Sequence, residues 1–177
     1  MKNLPNFFDL DLDNFNQNLT DKLNTFRKNI DELTKQKEFT WDTLMLPLDN
    51  MDDELSHFWS PVSHLHSVVN SEKLREIYKV AVTELSLYST EVGQNKALYQ
   101  AIKSLKPTND TEKKIIQDEL LGFELSGVAL EEEQKKRFSD IQTKLPELST
   151  QFETNLLDST NAWKKEVTNS EALTGMP

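Results

Sequence analysis

The sequence predicts an all-α fold, in which long antiparallel helical hairpins form an elongated bundle. Apolar residues recur every three or four positions along most of the 177-residue chain, which is the spacing of one helix face. With 4 Gly and 6 Pro, the chain is poor in the turn residues that a sandwich or barrel requires. The longest patterns far exceed the average helix of about 11–12 residues, which favours hairpins over globin-like packing.

Two long helices are predicted in the first part of the chain. The first covers residues 13–36, and its apolar stripe consists of Phe15, Leu19, Leu23, Phe26, Ile30 and Leu33. The second covers residues 40–69 and begins at Thr40, a favourable N-cap. Pro47 lies near its start, whereas Pro61 lies inside it and should kink the helix by removing a hydrogen bond.

Three shorter patterns follow in the middle of the chain. The third helix begins after the N-cap Ser71, and Gly93 marks its expected end. A short helix ends ahead of Pro107 and carries Leu98, Ile102 and Leu105. The next begins near residues 108–110 and is expected to bury Ile115, Ile116, Glu119, Leu120 and Phe123.

The last predicted helix is the longest and covers about residues 131–168, with Pro146 bending it. We expect an inward-facing stripe of Phe138, Ile141, Leu145, Leu148, Phe152, Leu156, Trp163 and Val167. Towards the C-terminus, one stripe cannot bury all of Leu156, Leu157, Trp163, Val167 and Leu173. This end should therefore expose apolar surface, associate weakly with a second copy, or fray.

Composition excludes several functional classes. The chain has no cysteine, so it contains neither disulfides nor thiolate metal sites. Its 30 acidic and 20 basic residues give a net charge of −10, which opposes binding to nucleic acid or an anionic membrane. No apolar run reaches the roughly 18 residues of a membrane span, and the start lacks the pattern of a signal peptide. The expected compartment is the cytoplasm, and the absence of a linker predicts a single domain over residues 1–177.

No motif in the sequence predicts a catalytic or metal centre. The three histidines, His57, His64 and His66, lie close together in sequence and invite a zinc interpretation. On a helix, however, His64 and His66 project about 200° apart, and His57 is about 10.5 Å from His64 along the axis. The motifs H-E-x-x-H and G-x-S-x-G are both absent. We therefore expect no catalytic, cofactor-binding or metal-ligating residue in this chain.

Five sequence blocks resemble the N-terminal region of the thimet-oligopeptidase family of zinc metallopeptidases, in the same order and with the same spacing. They are FWSPVSHLHSVVNSEKLREIY (58–78), YSTEVGQNKALY (88–99), FELSGVAL (123–130), NLLDSTNAWKKEVT (155–168) and LTGMP (173–177). The match covers nearly the whole chain and is loosest at the N-terminus. The resemblance implies helices that form one wall of a deep channel, which admits short unstructured peptides to a zinc site.

The same resemblance implies that the catalytic part lies elsewhere. In the family, the H-E-x-x-H helix and the third zinc ligand lie far downstream, at positions that these 177 residues do not include. The expected function is that of an N-terminal portion, inactive alone, of an enzyme that cleaves oligopeptides such as signal-peptide degradation products. The expected partners are peptides and the missing catalytic domain, with zinc in the whole enzyme only. The alternative is a free-standing helical module that binds a peptide or a partner without hydrolysis.

Overall fold

The computed structural model describes residue 7, residues 10–169, residue 171 and residues 174–175. Within these residues there are α-helices and no strands, which confirms the predicted all-α class. The helices are α1 (Phe15–Leu33), α2 (Leu46–Val68), α3 (Glu72–Gly93), α4 (Lys96–Lys103), α5 (Asp110–Leu125) and α6 (Glu132–Ala162). A π-helical turn, Trp41–Met45, leads directly into α2. No helix in this part of the chain is both long and apolar enough to cross a membrane.

Polar side chains cap most of the helix starts. Thr40 and Thr43 form a reciprocal capping box, in which each hydroxyl accepts a hydrogen bond from the other residue's backbone N–H. The hydroxyl of Ser71 caps α3, which confirms the second predicted N-cap. Asn95 and Asn109 cap α4 and α5 in the same way. The caps at Thr40, Ser71 and Asn109 lie within a residue or two of the predicted helix starts.

The two prolines of α2 have different surroundings. Pro47 lies in the first turn of α2, directly after the π-helical turn, and it has no N–H to donate to the carbonyl oxygen of Thr43. That oxygen instead accepts a hydrogen bond from the side chain of Gln36, at 3.1 Å. Pro61 lies inside the helix, is fully buried, and is flanked by the buried residue Val62. Helix α2 continues through Pro61 to Val68, so Pro61 contributes a buried side chain to the core and does not end the helix.

Helices α1 to α5 and the segments that join them enclose two hydrophobic clusters. The first joins α1, α2 and α3 and consists of Phe15, Leu19, Leu23, Val62, Leu74, Ile77 and Ala81. The second joins the end of α1 to the π-helical turn, α4 and α5, and consists of Ile30, Leu44, Met45, Leu98, Ala101, Ile102, Leu105, Ile116, Phe123 and Val128. Because α1 contributes to both, it is the central element of the bundle. Neither cluster contains a residue of α6.

The predicted burial of the last helix is wrong. Helix α6 contains no buried residue. Of the residues expected to face inward, Phe138 is half-buried and the others are exposed: Ile141, Leu145, Leu148, Phe152, Leu156, Trp163 and Val167. The exposure of the last three agrees with the separate expectation that the C-terminal end leaves apolar surface uncovered. The helix is also shorter than predicted, because it ends at Ala162 and Trp163 adopts an extended backbone conformation. The physical reason is that α6 packs chiefly on α3, through its opposite face. Leu173, the last residue of the predicted stripe, lies outside the described residues.

Candidate functional site

The three histidines of α2 lie in different surroundings. The Nδ1 atom of His57 is 2.8 Å from the carbonyl oxygen of Asp53, one turn earlier on α2. His64 is exposed and meets the ring of Phe7 edge-on, whereas His66 is buried. Among the residues that the structure describes, no group of three or more His, Cys, Asp or Glu could hold a metal ion.

His66 belongs to an aromatic stack rather than to a polar site. Its ring lies 3.9 Å from that of Tyr78, and Trp59 stacks on Tyr78 at 5.2 Å. Burial lowers the pKa of His66, an effect that Glu153 opposes and Arg75 reinforces. The Nε2 atom is buried and has no hydrogen-bond partner among the described residues. The site between α2 and α3 therefore favours the neutral form of the ring, and Glu153 of α6 acts against this preference.

The exposed apolar residues of α6 form one continuous row. This row, here called the α6 stripe, consists of Ile141, Leu145, Leu148, Phe152 and Leu156, whose side chains are 47–69% exposed. Their spacing of four, three, four and four residues places them on one face of the helix. Exposed apolar patches larger than a few hundred Å² are unusual on monomers, and such patches mark interaction surfaces. The α6 stripe is the first candidate functional feature.

The face of α6 that meets α3 is comparatively polar. The hydroxyl of Ser86 donates a hydrogen bond to the carbonyl oxygen of Gln142, at 2.7 Å. Further along, the guanidinium of Arg75 makes two hydrogen bonds to the carboxylate of Asp158, at 3.0 and 2.9 Å. This contact lowers the pKa of Asp158 and raises that of Arg75. A helix in a closed bundle is expected to turn its apolar face towards the other helices and its polar face towards water. Helix α6 does the opposite.

A second candidate feature is a cavity of about 490 Å³ among α1, α2, α3, α4 and α5. Buried apolar residues form its inner surface: Phe26, Ile30, Met45, Leu98, Ile102 and Phe123. Exposed side chains mark its opening, and they are Leu46, Asp49, Asp52, Ile115 and Glu119. Ile115 and Glu119 were predicted to be buried, and the structure instead places both at this opening.

The carboxylates at the opening carry uncompensated charge. In the described part of the chain, no ion pair involves Asp49, Asp52 or Glu119. Glu119 keeps exposed surface, but its position at the edge of the cavity removes part of its hydration, and this desolvation raises its pKa; the negative charges of Asp52 and Asp118 raise it further. Burial also raises the pKa of Tyr88, whose ring lines the cavity, to about 12. The site is therefore apolar inside and negatively charged at its opening.

Sequence reasoning missed the cavity and its charged opening. The local signal is present, because Asp49 and Asp52 are three residues apart on α2, and Ile115 and Glu119 are four apart on α5. Each pair therefore shares a helix face. What the sequence does not reveal is that these two faces meet across the end of α1.

Comparison with known proteins identifies the class to which this helical chain belongs. Residues 19–135 match the family described as Neurolysin/Thimet oligopeptidase, N-terminal domain. The chain therefore belongs to this family, and the resemblance found in the sequence is confirmed. The matched region includes all of α2 to α5 and ends in the first turn of α6.

Individual relatives are similar over most of the chain. It is 45% identical to Oligopeptidase A of Haemophilus influenzae over 157 residues, which are 85% of this chain and 23% of that protein. It is 42% identical to Oligopeptidase A of Escherichia coli over 166 residues, 90% of this chain and 24% of that protein. A probable cytosolic oligopeptidase A of Arabidopsis thaliana is 27% identical over 98% of the chain and 26% of its own length. The chain thus spans about a quarter of the length of these relatives.

Proposed function

We propose that residues 1–177 form the N-terminal helical domain of a longer peptidase that hydrolyses short peptides. Family membership supports this assignment, and the relatives' names describe oligopeptidases. The observation that carries the structural part of the proposal is the α6 stripe. It is an apolar face of the kind that a domain presents to another part of its own polypeptide.

In our proposal, the whole polypeptide is about as long as its relatives, and the three quarters of it that follow these residues supply the partner for this face. Helix α6 contacts α3 through polar side chains and directs its apolar side chains away from α3. An arrangement of this kind leaves apolar surface in water unless another element covers it. A downstream catalytic domain packed on the stripe would remove Leu148, Phe152 and their neighbours from water.

Zinc belongs to the whole enzyme in this proposal, and the described residues do not fit it. His57, His64 and His66 have three separate surroundings, and His66 is committed to its stack with Tyr78. We therefore assign no catalytic residue to this chain and derive no catalytic step through the metal. The domain's role is to form one wall of a channel that excludes folded proteins and bulk water. Signal-peptide degradation products are among the proposed substrates.

The proposal can be tested on the native protein and on the isolated chain. The native mass should be several times 20.5 kDa, the mass of this chain, and the reading frame should continue into an H-E-x-x-H helix. The isolated 177-residue chain should not cleave a quenched fluorogenic peptide, with or without added zinc. A native protein of 20.5 kDa would instead support the free-standing binding module. Zinc-dependent cleavage by the isolated chain would overturn the assignment of catalysis to another domain.

A further inference from the structure

We propose that the cavity among α1 to α5 binds a peptide segment in which a large apolar side chain stands next to a lysine or arginine. The apolar group would enter the cavity, and the cation would remain at the opening beside Asp49, Asp52 and Glu119. The choice of a peptide rests on the proposed function. The location and the chemistry rest on the cavity alone, and they do not depend on the α6 stripe.

The interior of the cavity fits an apolar side chain. At about 490 Å³ it lies within the roughly 300–1,000 Å³ range of ligand pockets. Aromatic and sulfur-containing residues form part of its lining, and they are Phe26, Trp41, Met45, Met51, Tyr88 and Phe123. Such residues pack well around aromatic or long aliphatic groups. The interior therefore favours Phe, Leu or Met over a polar side chain.

The opening fits a cation. Three carboxylates lie at the opening, and no described basic side chain forms an ion pair with any of them. Arg27 lies over the ring of Tyr88 at 5.5 Å, but its guanidinium already binds Glu91 at 2.6 Å. Loss of hydration raises the pKa of Glu119, and repulsion from Asp52 and Asp118 raises it further; an incoming cation would offset this second contribution. Charge complementarity thus selects a basic residue.

One side chain cannot satisfy both parts of the site. Lysine and arginine can lay their aliphatic stems along the exposed rim residues Leu46 and Ile115 while the charged head stays in water. The inner surface, by contrast, requires a group without charge. A neighbouring pair of residues, one apolar and one basic, therefore matches the cavity better than either residue alone. Acidic peptides are disfavoured, because the chain carries a net charge of −10.

A titration of the 177-residue chain followed by backbone NMR tests this inference. The probe is acetyl-Gly-Phe-Lys-amide, and the matched neutral peptide carries norleucine in place of lysine. We expect shifts in residues that line the cavity, including Trp41 and Tyr88. We also expect the lysine peptide to bind on the order of 3- to 10-fold more tightly than its neutral counterpart. Raising the salt concentration should reduce this preference.

Matched charge variants give the decisive control. Asp52→Asn should weaken binding of the lysine peptide by roughly 2- to 5-fold and leave the neutral peptide unaffected. Asp140→Asn removes the same charge from an exposed position on α6, and it should change neither affinity. Backbone spectra of the free variants verify that each one folds.

Several outcomes would overturn the inference. The two peptides could bind with equal affinity, or the shifts could be confined to residues outside the cavity. Equal weakening by Asp52→Asn and Asp140→Asn would reveal a general attraction to net charge. Finally, in a longer polypeptide, Trp41 and Tyr88 could fail to respond to the peptide because another part of that polypeptide fills the cavity. None of these results would alter the native mass or the reading frame, so failure here is distinguishable from failure of the proposed function.

Discussion

Helices α1 and α6 have the same kind of apolar pattern, but the apolar side chains of α1 are buried and those of α6 are exposed. In α1, the stripe of Phe15, Leu19, Leu23, Phe26 and Ile30 is buried throughout. In α6, a stripe of equally regular spacing contains no buried residue. Periodicity therefore indicates that a helix has a face to bury, but it does not indicate whether the partner lies within the same stretch of chain.

The neighbours of the two helices explain the difference. Helix α1 is surrounded by α2, α3 and the second cluster, so every direction in which its apolar side chains project meets another apolar surface. Helix α6 comes last and rests on α3, whose other faces already serve the core. Its link to α3 depends on polar contacts such as those of Ser86 and Arg75. Mutations can test this contrast directly.

Matched leucine substitutions should show the largest difference. Leu19 is 0% exposed and Leu148 is 50% exposed, so Leu→Ala removes the same atoms from two different environments. We expect Leu19→Ala to lower the free energy of unfolding by about 2–5 kcal/mol, because it leaves a cavity in the core. Leu148→Ala should stay within about 0.5 kcal/mol of the parent. Urea denaturation measures both, and similar losses would mean that α6 is buried in solution.

The next largest effect should come from the place where α3 approaches the end of α5. A Cβ atom at Gly93 would lie 2.6 Å from Cβ and Oγ of Ser126, the residue that directly follows α5. We expect Gly93→Ala to lower the melting temperature, with a loss of about 1–3 kcal/mol from overpacking.

The control for that variant is Gly122→Ala on α5, where an added Cβ meets nothing within 4 Å. Alanine is a better helix former than glycine, so this variant should be more stable than the parent by about 0.5–1 kcal/mol. If Gly93→Ala were equally stabilising, the α3–α5 junction would not be as close as described.

Helix capping should have a smaller effect. The hydroxyl of Ser71 accepts a hydrogen bond from the backbone N–H of Leu74, so Ser71→Ala should cost about 1 kcal/mol. Ser149→Ala, on an exposed position of α6, should change stability by less than about 0.5 kcal/mol. Thermal unfolding of the two variants compares the cap of α3 with an exposed position on α6. Equal losses of stability in the two variants would contradict the assignment of Ser71 as a cap.

The smallest expected effect is a dependence of stability on pH through His66. Burial lowers its pKa in the folded state, so the unfolded imidazole takes up a proton more readily. The free energy of unfolding should therefore fall as the pH drops below the ordinary histidine pKa of 6.5. His66→Gln should flatten this dependence, whereas the exposed His64→Gln should retain it. An unchanged slope in His66→Gln would show that other groups control this pH range.

Local features of the fold were predictable because they depend on neighbouring residues. Thr40 and Ser71 were predicted as N-caps from residue type and position, and both caps are present. The α1 stripe was predicted from spacing alone. The orientation of α6 was not predictable, because it depends on which surfaces of α1 to α5 are covered by one another and which remain free for α6. The spacing of apolar residues in a single sequence does not show which surfaces remain free.

The candidate site was less predictable than the fold. The resemblance to the family came from sequence blocks in register, and it needed no structure. The cavity, by contrast, exists only because α2 and α5 face one another across the end of α1. Residues such as Asp52 and Glu119 are ordinary surface carboxylates in the sequence. Their shared position at one opening is a property of the tertiary structure.

Amide hydrogen exchange tests the central contrast most directly. In the 177-residue chain, we predict slow exchange along α1 and much faster exchange along α6, because α6 has no buried residue to couple it to the core. In a longer polypeptide that contains the proposed catalytic domain, exchange along α6 should slow to the level of α1. Equal protection of α1 and α6 in the 177-residue chain, or no change in α6 in the longer polypeptide, would contradict the assignment of the α6 stripe as a docking face.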